Sequence, residues 1–264
     1  SLAYARLLAA SLLPSHNRIV YLDADTVIYA DVAELYDADL GGNPLGAVRD
    51  VSVLSSLIAG YPRLQLRKLE PLGLSNPRHY FNSGVLVLDL ALIRAENAEP
   101  RLLQVIEEYN EQLEHPDQDA LNIVFHDRIS PLPVEWNYHF QFELKKDGLE
   151  AAAEGTEFSG ISTIYANRSW KLFHMIGSKK PWLQPEKTEE YLMSTNVWWE
   201  AAMETPSHQP YVKNLLDEFT RWTRKQLRYN QWHLPFSFGK NFRKRQKRIR
   251  LLKRLLHAFE NGRA

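Results

Sequence analysis

The sequence predicts an α/β fold in which helices flank a mixed, mostly parallel sheet, followed by a basic helical tail. Short apolar runs with strand character alternate along the chain with segments of helical periodicity, an order typical of a sheet with helices on its faces. With 264 residues, of which 44% are hydrophobic, the chain is also long enough to bury a sizeable core. We therefore expect a globular α/β body and, after it, the tail.

Each element is predicted from its local pattern. A helix at Leu2–Leu13 ends before Pro14, and Asp31 is placed to cap a second helix, in which Glu34 completes a capping-box pattern. Apolar runs predict strands at Ile19–Leu22, Val27–Tyr29, Leu45–Val48, Val85–Leu88 and Ile129–Leu132. Helical periodicity predicts helices at Pro100–Leu113, at Asp117–Phe125 and from Thr188 onward. The segments 61–79 and 140–162 lack a clear period and are predicted to be surface loops.

The composition excludes several classes of protein and site. The chain contains no Cys, so neither a disulfide framework nor a thiolate metal site is available, and a metal would have oxygen and imidazole ligands. No apolar run reaches the roughly 18 residues of a membrane-spanning helix, and no basic and apolar leader is recognisable. We therefore expect a cytoplasmic protein.

Charge is distributed unevenly along the chain. Residues 1–220 contain 18 Lys and Arg against 31 Asp and Glu, whereas Arg221–Arg254 contains 13 basic residues and no acidic one. Apolar side chains recur at helical spacing among these basic residues, which predicts a basic amphipathic helix. An anionic membrane, a nucleic acid and the acidic body of the same chain are the competing partners. Since nothing upstream is typical of a nucleic-acid-binding module, we expect peripheral binding of Arg221–Arg254 to the inner face of the cytoplasmic membrane.

The stretch Ile19–Asp31, with the sequence IVYLDADTVIYAD, places two carboxylates at the end of a strand. Side chains at positions i and i+2 of an extended chain share a face, so Asp23 and Asp25 converge. Their repulsion is tolerable when a hard divalent cation lies between them. The same motif is common in solvated strand-to-turn connections, and taken alone it leaves both interpretations open.

Further motifs occur in a specific order. They are YAR at Tyr4–Arg6, HYFNSGVLVLDL at His79–Leu90, HPDQDALN at His115–Asn122, WN at Trp136–Asn137 and HMIGSKKPW at His174–Trp182. Together with IVYLDAD, and over roughly residues 1–205, they resemble the family 8 glycosyltransferases, with the bacterial lipooligosaccharide galactosyltransferases as the most similar branch. The resemblance implies a GT-A-type, Rossmann-like fold. It also implies retaining, metal-dependent transfer of a hexose, galactose or glucose, from a UDP-sugar to a glycan or lipopolysaccharide-type acceptor.

The resemblance implies a metal site and a loop that binds the donor. Asp23 and Asp25 match the metal-binding pair of the family, and His174 matches its third protein ligand. Two carboxylates and an imidazole suit Mn²⁺, with Mg²⁺ as the alternative ion. Gly177 would let the backbone approach the donor diphosphate, and Lys180 would add a positive charge there.

Four more residues match donor-binding positions of the family. The resemblance implies that Arg6 lies near the donor phosphates and sugar, and that Asp50 accepts a hydrogen bond from a sugar hydroxyl. It further implies that Asn82 binds the donor sugar. Ser83 lies in the same strand-entry loop, at a position where many family members have Ala.

The triplet Asp117–Asp119, with the sequence DQD, carries the predicted catalytic residues. Acidic residues in the first turn of a helix complement its dipole by about 0.3–1 kcal/mol, which is a sufficient explanation for either Asp alone. The resemblance implies instead that Asp117 binds a sugar hydroxyl and that Gln118 lies nearest the β face of the anomeric carbon. Because an amide is a poor nucleophile and Asp119 would reach only after a helix shift, we favour front-face substitution over double displacement.

The resemblance implies a catalytic domain at 1–205, and the basic amphipathic pattern predicts that 206–264 forms a helical, membrane-associating tail. Family members begin with a β-α-β unit of at least ~30 residues that carries the strand for the nucleotide base, and this chain starts after the corresponding point. We therefore keep the alternative of a truncated, catalytically impaired module that binds a nucleotide sugar or glycan at the membrane surface. A second alternative is an inverting transferase, which would need a general base near the acceptor.

Overall fold

The computed structural model describes residues 2–50, 53, 70–74, 77–139, 161–177, 180, 197–198, 200–202, 204–205, 209–236 and 239–260. The chain consists of two compact units, Ser1–His174 and Met175–Ala264. The predicted domain boundary after residue 205 remains a prediction. Most of the predicted loops at 61–79 and 140–162 lies outside the described residues.

In the first unit, short strands alternate with short helices. The strands are β1 (Arg18–Leu22), β2 (Thr26–Ile28), β3 (Leu45–Arg49), β4 (Phe81–Asp89), β5 (Ile129–Pro131) and β6 (Leu172–His174). The α-helices are α1 (Ala9–Leu12), α2 (Ala33–Tyr36), α3 (Leu90–Ala95), α4 (Ala98–Tyr109), α5 (Pro116–Val124) and α6 (Ile161–Asn167). Short 3₁₀ helices occur at Leu2–Leu8, Glu70–Leu72, Pro77–His79 and Val134–Asn137.

The five predicted strands and the two long helices of this unit are all present, with bounds shifted by a few residues. The first predicted helix is a 3₁₀ helix over Leu2–Leu8 and becomes α-helical only at Ala9–Leu12. Asp31 accepts a hydrogen bond from the backbone N–H of Ala33 at 2.9 Å, as a capping residue does. The predicted capping box is wrong at Glu34, whose carboxylate instead pairs with Lys171 Nζ at 2.6 Å. A charged donor makes a stronger hydrogen bond to a carboxylate than a neutral backbone N–H does.

The main sheet is mixed and has the strand order β1-β4-β3-β5. β4 pairs antiparallel with β1 and with β3, whereas β3 and β5 pair in parallel. Three of the four strands therefore run in the same direction, and β4 runs against them inside the sheet. In the register, Leu22 lies opposite Val85 and Arg49 lies opposite Phe81. The beginning of β4 thus lies at the edge of the sheet where β1 and β3 end.

The core of the first unit lies on both sides of β4. Val85, Leu86, Val87 and Leu88 are at most 1% exposed, because both faces of this strand are covered. A strand covered on both faces has a continuous apolar sequence in place of an alternating one. The main hydrophobic cluster joins β3 and β4 to helical residues, and its members include Leu45, Ala47, Leu86, Leu88, Leu90, Leu102, Leu121 and Phe125.

A second, two-stranded sheet pairs β2 with β6 in antiparallel fashion. In its register Thr26 lies opposite His174, which brings the end of β6 next to the turn after β1. The backbone N–H of His174 also donates to the carbonyl of Tyr138 at 2.7 Å, and that of Tyr138 donates to Leu172 at 3.0 Å. Backbone pairing therefore fixes His174 from two directions.

The second unit contains two long helices, α7 (Gln209–His233) and α8 (Gly239–Glu260), which pack against each other. Thr223, Asn230 and Leu252 are buried, whereas Tyr229 and Trp232 are 51% and 72% exposed. The helical tail predicted from the sequence is confirmed over these ranges. Among the described residues, we find no helix that combines the length and the apolar character needed to cross a membrane.

Two neighbouring residues of α4 provide a test of the core. Leu102 is 1% exposed and Leu103 is 38% exposed. We expect Leu102→Ala to lower the free energy of unfolding by about 2–5 kcal/mol, because it removes buried methyl groups and leaves a cavity. The matched variant Leu103→Ala should change it by no more than about 0.5 kcal/mol. Urea unfolding measures both values, and equal losses in the two variants would contradict the described packing of α4.

Candidate active site

The predicted site residues of the first unit gather at one edge of the main sheet. Asp23 follows the end of β1, Asp50 follows the end of β3, and Asn82 and Ser83 lie at the beginning of β4. The backbone N–H groups of Asp23 and Asp50 donate to Gly84 at 2.8 Å and to Tyr80 at 2.9 Å. These backbone bonds hold both carboxylates beside the start of β4. The edge is therefore polar although the strands themselves are apolar.

Asp23, Asp25 and His174 form a group that could hold a metal ion, with one ligand atom from each lying within 4.8 Å of the others. His174 Nε2 lies 3.2 Å from Asp25 Oδ1 and 3.8 Å from Asp23 Oδ2. The His174 side chain is only 5% exposed, and those of the two aspartates are 25% and 17% exposed. Two carboxylate oxygens and one imidazole nitrogen are a donor set that fits Mn²⁺. The three residues that the sequence assigned to a metal thus lie together.

Gly84 leaves the space that the His174 ring occupies. A Cβ at position 84 would lie 2.1 Å from His174 Cε1 and 3.0 Å from Asp23 Oδ2. Because even the smallest side chain would overlap the imidazole, only glycine allows β4 to pass directly under Asp23 and His174. The resemblance implied that Gly84 permits tight backbone packing, and the neighbour that it admits is the ring of His174.

Arg6 is the cation at the centre of the carboxylates. Its Nη2 donates to Asp23 Oδ1 at 2.6 Å, its Nε lies 3.2 Å from Asp117 Oδ2, and its Nη1 donates to Ser83 Oγ at 2.8 Å. The guanidinium also lies 4.5 Å from the centre of the Tyr21 ring. Arg6 is 7% exposed, so its charge acts on these partners with little screening by water. An arginine on an exposed face of a helix would not have these buried partners.

The hydroxyl of Tyr21 donates a second hydrogen bond to Asp23 Oδ1, at 2.9 Å. Burial raises the pKa of Tyr21 to about 12, although the nearby Arg6 lowers it. The hydroxyl therefore stays protonated at neutral pH and remains a donor. Asp23 Oδ1 is directed to Arg6 and Tyr21, while Oδ2 faces His174.

Gln118 is held at both ends of its amide group. Its Oε1 accepts from the backbone N–H of Ser83 at 3.0 Å, and its Nε2 donates to Asp50 Oδ2 and to the Tyr80 hydroxyl at 3.1 Å each. Gln118 is 6% exposed. The side chain has one orientation because its oxygen and nitrogen meet partners of opposite character.

Asp119 lies behind Gln118 and is 2% exposed. Its Oδ2 accepts from the backbone N–H groups of Glu114 and His115 at 2.9 Å each, and its Oδ1 accepts from the Tyr80 hydroxyl. Burial, and next the charge of Asp119, raise the pKa of Tyr80 well above its usual value. Asp119 thus closes the turn before α5, while its predicted catalytic role remains a prediction.

Gly177 and Lys180 belong to the second unit. Gly177 has φ of +86°, a left-handed conformation that favours glycine. Lys180 Nζ donates to the carbonyl of Met175 at 2.7 Å. Their assignments to the donor diphosphate remain predictions.

Sequence reasoning gave no role to three residues that contact the site. Tyr21 and Tyr80 donate to Asp23 and Asp119, and Asn137 lies between His174 and Asn82, 2.8 Å from each. Asn137 was part of the WN motif, and this motif was the only sequence signal for it. Tyr21 lies in the apolar run Ile19–Leu22 and Tyr80 precedes Phe81, so that packing explains either aromatic residue equally well.

Another cluster that the sequence did not indicate is formed by His79, His126 and Asp127, whose ligand atoms also lie within 4.8 Å of one another. His126 Nδ1 lies 3.0 Å from Asp127 Oδ2, and His79 pairs with the other carboxylate oxygen. The hydrogen bond from His79 lowers the pKa of Asp127. Because the Asp127 side chain is 59% exposed, an ordinary surface ion pair accounts for this group.

Comparisons with known proteins agree on one family. The model described as "Glycosyl transferase family 8" matches residues 1–186. General stress protein A of Bacillus subtilis is 25% identical over 205 residues, which are 74% of this chain and 66% of that protein. Lipopolysaccharide 1,2-glucosyltransferase of Escherichia coli is 30% identical over 182 residues, 68% of this chain and 48% of that protein. The chain therefore spans only part of the length of these relatives.

Among solved structures, the apo structure of the bifunctional glycosyltransferase WbbM is similar to this chain, with a TM-score of 0.63 and 26% sequence identity. The similarity covers 81% of this chain and 37% of that one.

The space left by Gly84 can be tested directly. We expect Gly84→Ala to weaken Mn²⁺ binding at least about tenfold, because the added Cβ displaces the imidazole from the two carboxylates. The matched control is Gly46→Ala, where a Cβ would lie 2.7 Å from the flexible end of Leu40 in the core of the same sheet. It should lower stability without changing Mn²⁺ affinity. Calorimetric titration measures the affinities, and equal Mn²⁺ binding by both variants would contradict the described position of His174.

Proposed function

The chain belongs to glycosyl transferase family 8, and we propose that it is a hexosyltransferase that moves glucose or galactose from a UDP-sugar to a glycan or lipopolysaccharide-type acceptor. The relative named lipopolysaccharide 1,2-glucosyltransferase supports this substrate class. The mixed sheet flanked by helices is similar to that of WbbM, as expected for a GT-A-type fold. The observation that carries the proposal is the convergence of Asp23, Asp25 and His174 beside Arg6 and the DQD triplet.

Asp23, Asp25 and His174 would hold Mn²⁺ or Mg²⁺. When bound, such an ion supplies Lewis-acid stabilisation of the diphosphate leaving group. Arg6 offsets the mutual repulsion of Asp23 and Asp117 and keeps these carboxylates in place before substrate arrives. Preorganised charges of this kind stabilise a transition state without having to move during the reaction.

We propose retention by front-face substitution. The acceptor hydroxyl oxygen forms a bond to the anomeric carbon, the bond from that carbon to the diphosphate oxygen breaks, and the departing diphosphate takes the hydroxyl proton. Two observations favour this over a covalent intermediate. Both ends of the Gln118 amide are hydrogen-bonded, and Asp119 is enclosed by three donors. A nucleophile needs a free lone pair aimed at the reacting carbon, and neither group has one that is easily released.

The metal dependence of transfer provides the test. We expect the chain to release UDP from UDP-glucose or UDP-galactose only with Mn²⁺ or Mg²⁺ present. Asp25→Asn should lower kcat by about 10²–10³-fold, the usual loss when one electrostatic stabiliser is removed. Asp37→Asn, which changes an exposed carboxylate directly after α2, should have no effect. A coupled assay of UDP release measures all three proteins.

Other outcomes identify the alternatives. Unchanged turnover in excess EDTA would contradict the metal assignment. Binding of UDP-sugar without any turnover would favour the nucleotide-sugar- or glycan-binding module, and a product of inverted anomeric configuration, seen by proton NMR, would favour an inverting transferase. Sugar trapped covalently on Asp119 of the unchanged protein would exclude the front-face route.

We also propose that Arg221–Arg254 binds an anionic membrane surface on the cytoplasmic side. Within this segment Trp232 is 72% exposed, and described basic side chains such as Arg228, Lys244 and Lys253 are exposed as well. Interfacial aromatic residues and cations together favour binding to anionic lipid headgroups. An exposed tryptophan among cations has no evident use in a purely solvated helix.

Flotation with vesicles checks this proposal. The protein should float with vesicles that contain phosphatidylglycerol, and it should stay at the bottom with neutral vesicles or at high salt. Trp232→Ala should lower the bound fraction several-fold. Tyr36→Ala, which removes a 44% exposed aromatic side chain of the first unit, serves as the control and should bind like the unchanged protein. Binding indifferent to lipid charge and to salt would remove the proposal.

A further inference from the structure

We propose that Asn137 is a positioning residue that fixes the tautomer and ring orientation of His174 and links it, through Asn82, to the carboxylate of Asp50. The proposal deepens the proposed function, on which its relevance to metal binding rests. It names a residue outside the predicted ligand set as the one on which the direction of His174 depends.

The hydrogen bonds of Asn82 determine which atom of the Asn137 amide donates and which accepts. The backbone N–H of Gly84 donates to the side chain of Asn82 at 3.0 Å, and a backbone N–H can only donate, so the Asn82 atom it meets is the oxygen Oδ1. The Asn137 atom that lies 2.8 Å from this same oxygen must then be the donor Nδ2. The other atom of the Asn137 amide, Oδ1, is therefore an acceptor.

The orientation of the Asn137 amide determines which nitrogen of His174 carries the proton. Asn137 Oδ1 lies 2.8 Å from His174 Nδ1. Because the oxygen can only accept, Nδ1 carries the proton of this hydrogen bond, and Nε2 is the nitrogen available as a ligand. That nitrogen faces Asp25 Oδ1 at 3.2 Å and Asp23 Oδ2 at 3.8 Å. The direction of one backbone N–H in β4 thus determines which nitrogen His174 presents to the carboxylates.

Backbone pairing keeps Asn137 in this position. Asn137 is the last residue of the 3₁₀ helix Val134–Asn137, and Tyr138 after it forms a parallel bridge with Phe173 of β6. Asn137 is 1% exposed and His174 is 4% exposed. With water excluded from this contact, His174 Nδ1 has no equivalent partner when the amide is removed, and a buried polar group without a partner is costly.

The hydrogen bonds continue from Asn82 to Asp50, the carboxylate assigned to the donor sugar. Asn82 Nδ2 donates to Asp50 Oδ2 at 3.4 Å, and Gln118 Nε2 donates to the same oxygen at 3.1 Å. Gln118 is in turn bound to Ser83, and Ser83 to Arg6, which pairs with Asp23. Asn137 therefore belongs to a continuous series of hydrogen bonds from His174 to Asp23, and this series connects the metal-binding group with the residues assigned to the donor sugar.

Two variants separate the acceptor and the donor of the Asn137 amide, and a third variant serves as the control. Asn137→Ala removes the acceptor for His174 and the donor for Asn82. Asn137→Asp keeps an acceptor for His174 Nδ1–H but cannot donate to Asn82, whose oxygen is held by Gly84. Asn43→Ala is the control, since it removes an amide that donates to Ser130 Oγ at 3.0 Å elsewhere in the unit.

The tautomer is measured by nitrogen-15 NMR of histidine-labelled, metal-free protein, and the His174 signals are assigned by their loss in His174→Gln. We expect the unchanged protein, Asn43→Ala and Asn137→Asp to show His174 protonated at Nδ1. Asn137→Ala should lose this signature. Mn²⁺ affinity, measured by electron paramagnetic resonance, should fall about 10–100-fold in Asn137→Ala, as is typical when a partner of a metal-ligating histidine is removed. It should stay within about threefold in Asn137→Asp and Asn43→Ala.

The opposite results would overturn the proposal. They are an Nδ1 of His174 that carries no proton in the unchanged protein, a result that requires no variant to fold, or an unchanged tautomer and Mn²⁺ affinity in a folded Asn137→Ala. Because these readings need no substrate, they are independent of turnover. Dependence of the tautomer and of Mn²⁺ affinity on Asn137 in a protein that releases no UDP would leave the positioning role supported and the transferase proposal refuted.

Discussion

The candidate site depends on the direction of β4. Since β4 runs against β1 and β3, its first residues lie at the edge where its neighbours end, and the polar residues of three separate chain segments meet there. A parallel β4 would place Asn82 and Ser83 at the opposite edge. The apolar run at Val85–Leu88 is buried on both faces of β4, and the pairing of Leu22 with Val85 and of Arg49 with Phe81 places the first residues of this strand at that edge. The strand pairing that builds the core of the sheet therefore also sets the geometry of the site.

The carboxylates that gather at this edge would repel one another if nothing offset their charge. Arg6 pairs with Asp23 and Asp117, and the hydroxyl of Tyr21 donates to Asp23, so part of the negative charge is compensated without a metal. Gly84 supplies the space, because it has no side chain to keep His174 away from the aspartates. The series of hydrogen bonds through Asn137, Asn82, Asp50 and Gln118 then gives each amide one orientation. Charge, space and hydrogen-bond direction together preorganise the group.

Much of the fold could be read from the sequence, as the strands and long helices show. Strand β4 was predicted because a short run of Val and Leu next to turn residues is consistent with a strand that is buried on both faces. The helix at α5 was evident because Pro116 precedes acidic residues and then apolar ones. The capping box at Glu34 failed because its carboxylate has a stronger partner in Lys171, 137 positions away in the chain. A capping pattern considers only residues within one turn of the helix, so it cannot predict a partner this far away in the sequence.

The sequence by itself determined the local parts of the site. The spacing of Asp23 and Asp25 places both side chains on one face of an extended chain, and the linked motifs indicated the family before any coordinates were known. The linked motifs also assigned His174 to that pair, whereas only the tertiary structure decided its distances to the aspartates, the burial of Arg6 between carboxylates, and the contact of Asn137 with the imidazole. The reason is physical: spacing along the chain fixes directions over a few residues, whereas donors, acceptors and charges from distant segments find their partners only when the sheet brings them into contact.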